Sequence, residues 1–295
     1  MKSGFVSIIG RPNVGKSTLL NAIITEHVAI TSDKAGTTRN IIQGIYNEKD
    51  CQIVFVDTPG IGKPQSRLNK VLNKEALSAA KDVDVILFVV DVASGIGQGD
   101  KYILNMLEDI ETPVILVMNK IDKLTNEQIL NTIATYKDIY PFSEIVPVSA
   151  LEKDNIQRLI YVIKEYLQDN VLYFPQDEYT SNTLSFMVSE IVREKIFNST
   201  EEEVPHGVTC YTIKYEDKKD IVNISVDIIV DRNSLKKIII GKGGTKLKQI
   251  GILARKDIEY LVGKKVYLEL YVKTLENWKE KEKYLIELGF IDKTE

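Results

Sequence analysis

Residues 10–17 read GRPNVGKS, and they sit between the apolar run FVSIIG (5–10) and a helix-forming stretch that opens at Lys16. The pattern G-x-x-x-x-G-K-[ST] in a strand–loop–helix context dictates a phosphate-binding loop, because only a curled, glycine-bearing turn can aim several backbone N–H groups at one anion. The positive end of the following helix adds to that field. A loop of this kind demands a sheet to hold it. The apolar runs CQIVFVD (51–57), VDVILFVVD (83–91), TPVILVMN (112–119) and SEIVPVS (143–149) supply one. Helical stretches are expected between them, near 16–25, 68–81, 98–110, 125–138 and 153–169. Continuously apolar strands alternating with helices specify a doubly wound, mostly parallel α/β sheet. IIQGIYNE (41–48) precedes CQIVFVD by a short turn and is expected to pair antiparallel as a sixth, edge strand.

Three further segments fall at the ends of these strands. DTPG (57–60) follows the third apolar run; Asp57 suits a Mg²⁺ site reached through water, and Gly60 offers an N–H unobstructed by a side chain. NKID (119–122) follows PVILVM. A carboxylate at Asp122 can accept from both N1–H and the exocyclic amine of guanine, whereas adenine would leave it unpaired. Asn119 is expected to brace the loop and the Lys120 stem to lie over the base. SAL (149–151) closes the next strand, with the Ala150 N–H expected to meet guanine O6. The polar loop TSDKAGTTRN (31–40) offers Thr38 as a Mg²⁺ ligand, with Thr37 as the alternative. Lys16 is expected to reach the β- and γ-phosphates and the Ser17 hydroxyl to ligate Mg²⁺. The nucleotide-contacting set is therefore Gly10, Arg11, Pro12, Asn13, Val14, Gly15, Lys16, Ser17, Thr18, Asp57, Thr58, Pro59, Gly60, Ile61, Asn119, Lys120, Asp122, Ser149, Ala150 and Leu151. Lys16, Thr38, Asp57 and Gly60 are the catalytic candidates. Asn13 can support loop geometry; its alternative role, holding K⁺, is implied only by resemblance to related GTPases with an asparagine at this loop position. Resemblance to Ras-like enzymes, in which a glutamine directly after the DxxG glycine orients the water, puts Ile61 at that position; it cannot hydrogen-bond, so slow intrinsic turnover is expected.

The polar stretch 169–183, with Pro175, breaks the α/β alternation and reads as a linker over 171–183. It separates a nucleotide domain (1–170) from a smaller α+β domain (184–274) of order αββααβ, with 275–295 packing on the latter. GKGG (241–244) lies between two helices of this second domain. Glycines there let a nucleic-acid backbone approach closely, as in KH domains. Charge agrees. Residues 1–180 hold 18 Lys/Arg against 23 Asp/Glu, a net of −5, whereas 181–295 hold 20 against 19, a net of +1. The window 232–256 carries eight basic residues and no acid, a footprint for phosphate. Lys236, Lys237, Ile240, Gly241, Lys242, Gly243, Gly244, Lys246 and Lys248 are the RNA-binding candidates. Tyr211, Tyr215, Tyr267 and Tyr271 alternate on the expected strands; they can stack bases or pack on the sheet surface, and packing is preferred. Cys51 and Cys210 form no CxxC, which argues against a zinc site or disulfide framework. No apolar run reaches the ~18–20 residues that span a bilayer. His27 and His206 are isolated and receive no role.

Together GRPNVGKS, GTTR (36–39), DTPGIGKP (57–64), NKID and VSAL (148–151), followed by GKGGTKLK (241–248), closely resemble the Era-like GTPases over essentially the whole chain. The resemblance implies a P-loop GTPase domain followed by a type II KH domain, with Mg²⁺, and with K⁺ as a further cation. It implies GTP and GDP as ligands. It also implies binding near the three-prime end of small-subunit ribosomal RNA, assistance to small-subunit assembly, and a cytoplasmic monomer with peripheral contact to the inner membrane. No amphipathic anchor in the sequence accounts for that last property. The rival readings are an ATPase or kinase, a nucleotide-stabilised RNA scaffold with negligible catalysis, and a GTPase whose second domain docks a protein.

Overall fold

Every apolar run of the first half forms a strand, and their register lines up the loops that follow them. The computed structural model describes residues 1–32, 34, 36–201 and 204–291. Asp33 and Ala35 of the polar loop and residues 292–295 of the tail lie outside the described residues. The chain divides into a first unit (Met1–Ala29, Thr38–Pro64, Leu72–Ser181) and a second (Ile30–Thr37, Gln65–Val71, Asn182–Glu295).

In the first unit, β1 (Lys2–Ile9), β2 (Ile42–Glu48), β3 (Cys51–Asp57), β4 (Val85–Asp91), β5 (Val114–Asn119) and β6 (Glu144–Pro147) form one sheet in the order β2-β3-β1-β4-β5-β6. Only β2 runs antiparallel to its neighbour. Parallel strands β1, β3, β4 and β5 are buried along nearly their whole length, as a sheet covered on both faces requires. The intervening helices are α1 (Lys16–Ile24), α2 (Arg67–Ser78), α3 (Gln98–Leu107), α4 (Asn126–Lys137) and α5 (Ile156–Tyr166). Thr125 starts α4 with a capping box: its hydroxyl accepts from the Gln128 N–H, and the Gln128 side chain accepts from the Thr125 N–H, which satisfies two otherwise orphaned donors. Ile8 pairs with Asp57, Ile9 with Phe88 and Asp91 with Asn119. The carboxyl ends of the central strands therefore meet along one edge, where open α/β sheets bind ligands.

The stretch after α5, read above as a linker, is held onto this unit as far as Ser181. The N–H groups of Tyr173 and Phe174 donate to Gln52 Oε1 at 2.7 and 3.1 Å. The Ile45 N–H donates to the Tyr179 carbonyl at 2.9 Å, and the Thr180 hydroxyl donates to the Gln43 carbonyl at 2.7 Å. Unpaired backbone on the edge strand β2 is thereby covered.

The second unit contains α6 (Leu184–Ser199), α7 (Val204–Gly207), β7 (Val208–Asp217), β8 (Ile221–Val230), α8 (Asn233–Ile240), α9 (Thr245–Val262), β9 (Lys265–Thr274) and α10 (Glu282–Glu287). The sheet order is β7-β8-β9, antiparallel then parallel. Val188, Val192 and Ile196 of α6 and Ile250, Ala254 and Ile258 of α9, each set at four-residue spacing, pack on one face of the sheet against Val222, Ile224, Val226 and Ile228. Trp278 in the tail is fully buried, stacks on Phe290 and donates through Nε1 to the Gly207 carbonyl at 3.2 Å. The short helices α7 and α10 carry too few periodic residues to be read from sequence. Segment 30–37 docks within this unit: the Thr31 N–H donates to Glu194 Oε1 at 3.1 Å, and Lys34 Nζ donates to the carbonyls of Phe197 and Thr200 at the end of α6.

The tyrosines depart from the expectation. Tyr211 and Tyr215 are four residues apart and should share a face. A bulge between Thr212 and Lys214 inserts one residue, so Tyr215 turns to the core while Tyr211 faces outward. Tyr267 and Tyr271 join Tyr211 on the uncovered face, and all three are about half exposed.

Candidate functional site

The loop from Gly10 to Ser17 connects β1 to α1, and its shape rests on backbone that few residues adopt. Asn13 has φ 66° and Gly15 has φ 97°. A Cβ on Gly15 would lie 2.3 Å from Asn119 Nδ2, so the glycine is required by close approach as well as by conformation. Asn119, 2% exposed, uses that proximity. Its Nδ2 donates to the Val14 carbonyl at 2.9 Å and its Oδ1 accepts from the Ala150 N–H at 3.0 Å. One side chain thus ties the phosphate loop to the loop after β6. The Ala150 N–H, expected to face guanine O6, donates here to Asn119 Oδ1. Lys120 has φ 69°, and its Nζ donates to the Asn13 carbonyl at 2.8 Å and to Asp91 Oδ2 at 2.7 Å. Asp122 is exposed and accepts from the Ser149 hydroxyl at 2.6 Å. Leu151 is 71% exposed and takes no part in this network.

The second cluster is polar and buried. The Ser17 hydroxyl lies 2.8 Å from Thr38 Oγ1 and donates to Asp57 Oδ2 at 2.7 Å. Asp57 is fully buried, and its Oδ1 has no hydrogen-bond partner among the described residues. Burial pushes the Asp57 carboxyl up to about 6, against the opposing pull of Lys16, Ser17 and the Thr58 N–H. Burial also pulls the Lys16 ammonium down to about 8, with Asp57 opposing. Two hydroxyls and an orphaned buried carboxylate oxygen are a hard, all-oxygen donor set, which fits Mg²⁺ with its remaining positions left to water and phosphate. Thr37, the alternative ligand, turns its hydroxyl to the Lys34 carbonyl at 2.6 Å. The geometry therefore favours Thr38.

Lys16 Nζ donates to the carbonyls of Gly10 (3.2 Å) and Arg11 (3.0 Å) and so points along the inside of the loop. Thr18 is half-buried on α1. Thr58 and Pro59 are buried, and the Thr58 hydroxyl donates to the Ile8 carbonyl at 2.8 Å. A Cβ on Gly60 would meet Pro12 N at 2.7 Å. The Ile61 N–H donates to the Gly10 carbonyl at 3.1 Å, while its side chain is fully buried in the core beside Ile9 and Phe88. Position 61 therefore serves packing, which sharpens the expectation drawn from its apolar chemistry.

Two positioning residues were not read from the sequence. Asp91 anchors Lys120, and the fully buried Asp100 accepts from Arg11 Nε at 2.8 Å and from the Gly97 N–H at 2.8 Å. Asp91 carried a signal, since it ends an apolar strand in register with Asn119. Asp100 carried none, because an acid in the first turn of a helix is ordinary capping chemistry.

In the second unit, Gly241, Gly243 and Gly244 have φ of 71°, 60° and 77°. A Cβ on Gly243 or Gly244 would meet nothing within 4 Å, so this turn presents open backbone between α8 and α9. Lys237, Lys242 and Lys248 are exposed, and Lys236, Ile240 and Lys246 are half-buried. None of these lysines forms an ion pair among the described residues. Unpaired cations around an open glycine turn suit phosphate contact.

A family model described as a 50S ribosome-binding GTPase matches residues 5–120, and one described as a KH domain matches 203–279. The chain is 50% identical to GTPase Era of Alkaliphilus oremlandii (strain OhILAs), over 98% of this chain and 99% of that protein. Among solved structures, a point variant of Aquifex aeolicus Era bound to GDP·AlF₄⁻ aligns with a TM-score of 0.95 at 40% identity, over 98% of this chain and 99% of that one. An Era complex with MgGDPNP and nucleotides 1506–1542 of 16S ribosomal RNA aligns with the same TM-score, identity and coverage.

Proposed function

The chain belongs to the Era family of GTPases, and from that premise we propose that it hydrolyses GTP as a switch coupled to small-subunit ribosomal RNA. The observation that carries the guanine half is Asn119. Its side chain joins the phosphate loop to the base loop, so that Asp122, oriented by Ser149, can read a base whose phosphates lie along Gly10–Ser17. The RNA half rests on the glycine turn 241–244 with its unpaired lysines, and on the Era complex that contains a 16S fragment.

Ser17, Thr38 and Asp57 are the residues that would hold Mg²⁺. Bound there, the ion would supply positive charge to the β- and γ-phosphate oxygens. Lys16 and the loop N–H groups provide a preorganised field for charge that develops on the γ-phosphoryl group. Water attacks in line, and with Ile61 locked in the core no side chain at that position orients it. Intrinsic turnover is accordingly slow, and a partner or a monovalent cation near Asn13 completes the site. Family membership also carries the expectation of a cytoplasmic monomer with peripheral membrane contact. Among the described residues no helix is long and apolar enough to cross a membrane.

The deciding experiment is calorimetry with Mg²⁺ and GTP, then ATP, followed by crosslinking of 16S-derived RNA with GTP and with GDP bound. Preference for guanine and nucleotide-dependent crosslinks at 241–248 are expected. Equal affinity for ATP would remove the guanine reading, and crosslinks elsewhere would remove the RNA reading.

A further inference from the structure

The side chain of Arg11, the second residue of the phosphate loop, is seated in a socket built by the segment after β4. Arg11 Nε donates to Asp100 Oδ1 at 2.8 Å, and Nη2 lies 3.4 Å from Ser94 Oγ and 3.3 Å from the Gly95 carbonyl. Asp100 is fully buried, and its other oxygen accepts from the Gly97 N–H at 2.8 Å. Two glycines make room for the arginine. A Cβ on Gly99 would lie 2.6 Å from Arg11 Cδ, and one on Gly97 would lie 3.3 Å from Nη1. Gly99 is the second residue of α3, where alanine would favour the helix. The chain forgoes that stability to let the Arg11 stem pass, and such departures from local preference concentrate at functional positions.

We infer that Arg11 is a positioning residue for hydrolysis: the socket at 94–100 fixes the peptide whose carbonyl helps to aim Lys16 at the phosphates. Lys16 Nζ donates to the Gly10 and Arg11 carbonyls at 3.2 and 3.0 Å. A lysine ammonium rides on a flexible four-carbon stem and takes its direction from the acceptors offered to it. With the guanidinium held at one end and the carbonyl engaged at the other, the Arg11 peptide cannot turn without breaking the pair with Asp100. A buried carboxylate left without its cation is costly, so the pair resists that turn.

The same segment grips the loop a second time. Asp91 Oδ2 accepts from Lys120 Nζ at 2.7 Å, and Lys120 Nζ also donates to the Asn13 carbonyl at 2.8 Å. Residues 11 and 13 are thus tied to 91–100 on either side of Pro12, whose backbone nitrogen would lie 2.7 Å from a Cβ on Gly60. The turn that offers the Gly60 N–H leans on the stretch between the two ties. Charge develops on the γ-phosphoryl group only during transfer, so a misaimed Lys16 lowers the rate more than it lowers affinity for GDP. The inference rests on the reading of the site as a GTPase.

The test is single-turnover phosphate release by the full chain with Mg²⁺ and GTP, beside its affinity for a fluorescent GDP and its thermal transition. The neutral pair Arg11→Leu with Asp100→Asn removes the tether without stranding a buried charge, and the amide can still accept from the Gly97 N–H. It should slow release roughly 10- to 100-fold and hold GDP affinity within about threefold, with the thermal transition close to wild type. Gly99→Ala keeps both charged residues, displaces the Arg11 stem and should slow release likewise, which keeps the test decisive should the neutral pair fail to fold. Added to the neutral pair, Gly99→Ala should slow release no further, because both changes remove one interaction. Arg11→Lys keeps the charge without the fork and should fall between. Wild-type release in the neutral pair and in Gly99→Ala overturns the role of Arg11. So does an equal loss of release and of GDP affinity, which would make the pair a brace for the loop alone. Absence of release in the unaltered chain overturns the GTPase reading itself, and this inference with it.

Discussion

Gly15 and Asn119 occupy each other's space: any side chain at position 15 would collide with the amide that donates to the Val14 carbonyl. Gly15→Ala must displace Asn119 and hold alanine at φ 97°. The left-handed conformation costs roughly 1–2 kcal/mol, and two lost hydrogen bonds cost about 0.5–1.5 kcal/mol each. The variant should lose about 2–5 kcal/mol of stability in urea denaturation and should bind GTP poorly. Gly62→Ala is the control, since a Cβ there meets nothing within 4 Å. Equal stability of the two variants would show that Asn119 can relax away.

Asp57 sets a pH window for metal. Its folded pKa of about 6 exceeds the ordinary 3.8, so the native state holds this proton where the unfolded chain has lost it. The group therefore favours the fold at low pH, and that contribution fades as pH rises through about 6. Mg²⁺ needs the ionised form. Mg²⁺-dependent affinity for a GTP analogue should be flat above pH 7 and fall about tenfold per unit well below pH 6, as for one competing proton. Asp57→Asn should bind Mg²⁺ weakly at every pH. A wild-type profile that stays flat to pH 5 would exclude Asp57 as the titrating group.

The architecture was legible because its signals are periodic or chemically costly. Buried parallel strands need unbroken apolar runs such as VILFVV, and a phosphate loop needs Gly10, Gly15 and Lys16 at fixed spacing. What escaped was set by distant pairing. The bond from the Ala150 N–H to Asn119 Oδ1, which ties two loops together, and the Arg11–Asp100 pair, which spans 89 residues, have no local signature. The bulge at Thr212/Lys214 reversed one tyrosine because a single inserted residue flips a strand's alternation.

Asp122 offers a base-identity test. On the proposed reading its carboxylate would accept twice from guanine, whereas an amide presents one donor and one acceptor. Asp122→Asn should therefore weaken GTP by roughly 100- to 1,000-fold and bind xanthosine triphosphate, whose 2-oxo group accepts where guanine donates. Ser149 can still donate to the amide oxygen, so the loop should keep its shape. Competition titrations measure both affinities; unchanged guanine preference would move base recognition elsewhere.

Asn13 bears on the monovalent cation. With Ile61 buried, charge supplied beside the γ-phosphate would act where other GTPases use an arginine finger. Single-turnover phosphate release should be faster in K⁺ than in Na⁺, and Asn13→Ala should make the two salts equal. Equal rates for the wild-type chain would leave Asn13 with a loop-supporting role only.

The lysines at 242 and 246 separate the two activities. Lys242 lies within the glycine turn and Lys246 just after it, and neither pairs with an acid among the described residues. Charge reversal there (Lys242→Glu with Lys246→Glu) removes attraction for two phosphates and adds repulsion. Phosphate contacts set the salt dependence of affinity, with a slope near −0.7 per contact for single strands. The double variant should lose 16S-derived RNA at physiological salt, flatten the log–log salt slope by ~1.4, and keep basal GTP hydrolysis within about twofold. A double variant that binds RNA with the wild-type slope would show that phosphates lie elsewhere on the domain, whereas loss of hydrolysis together with RNA binding would indicate misfolding, to be checked by its thermal transition.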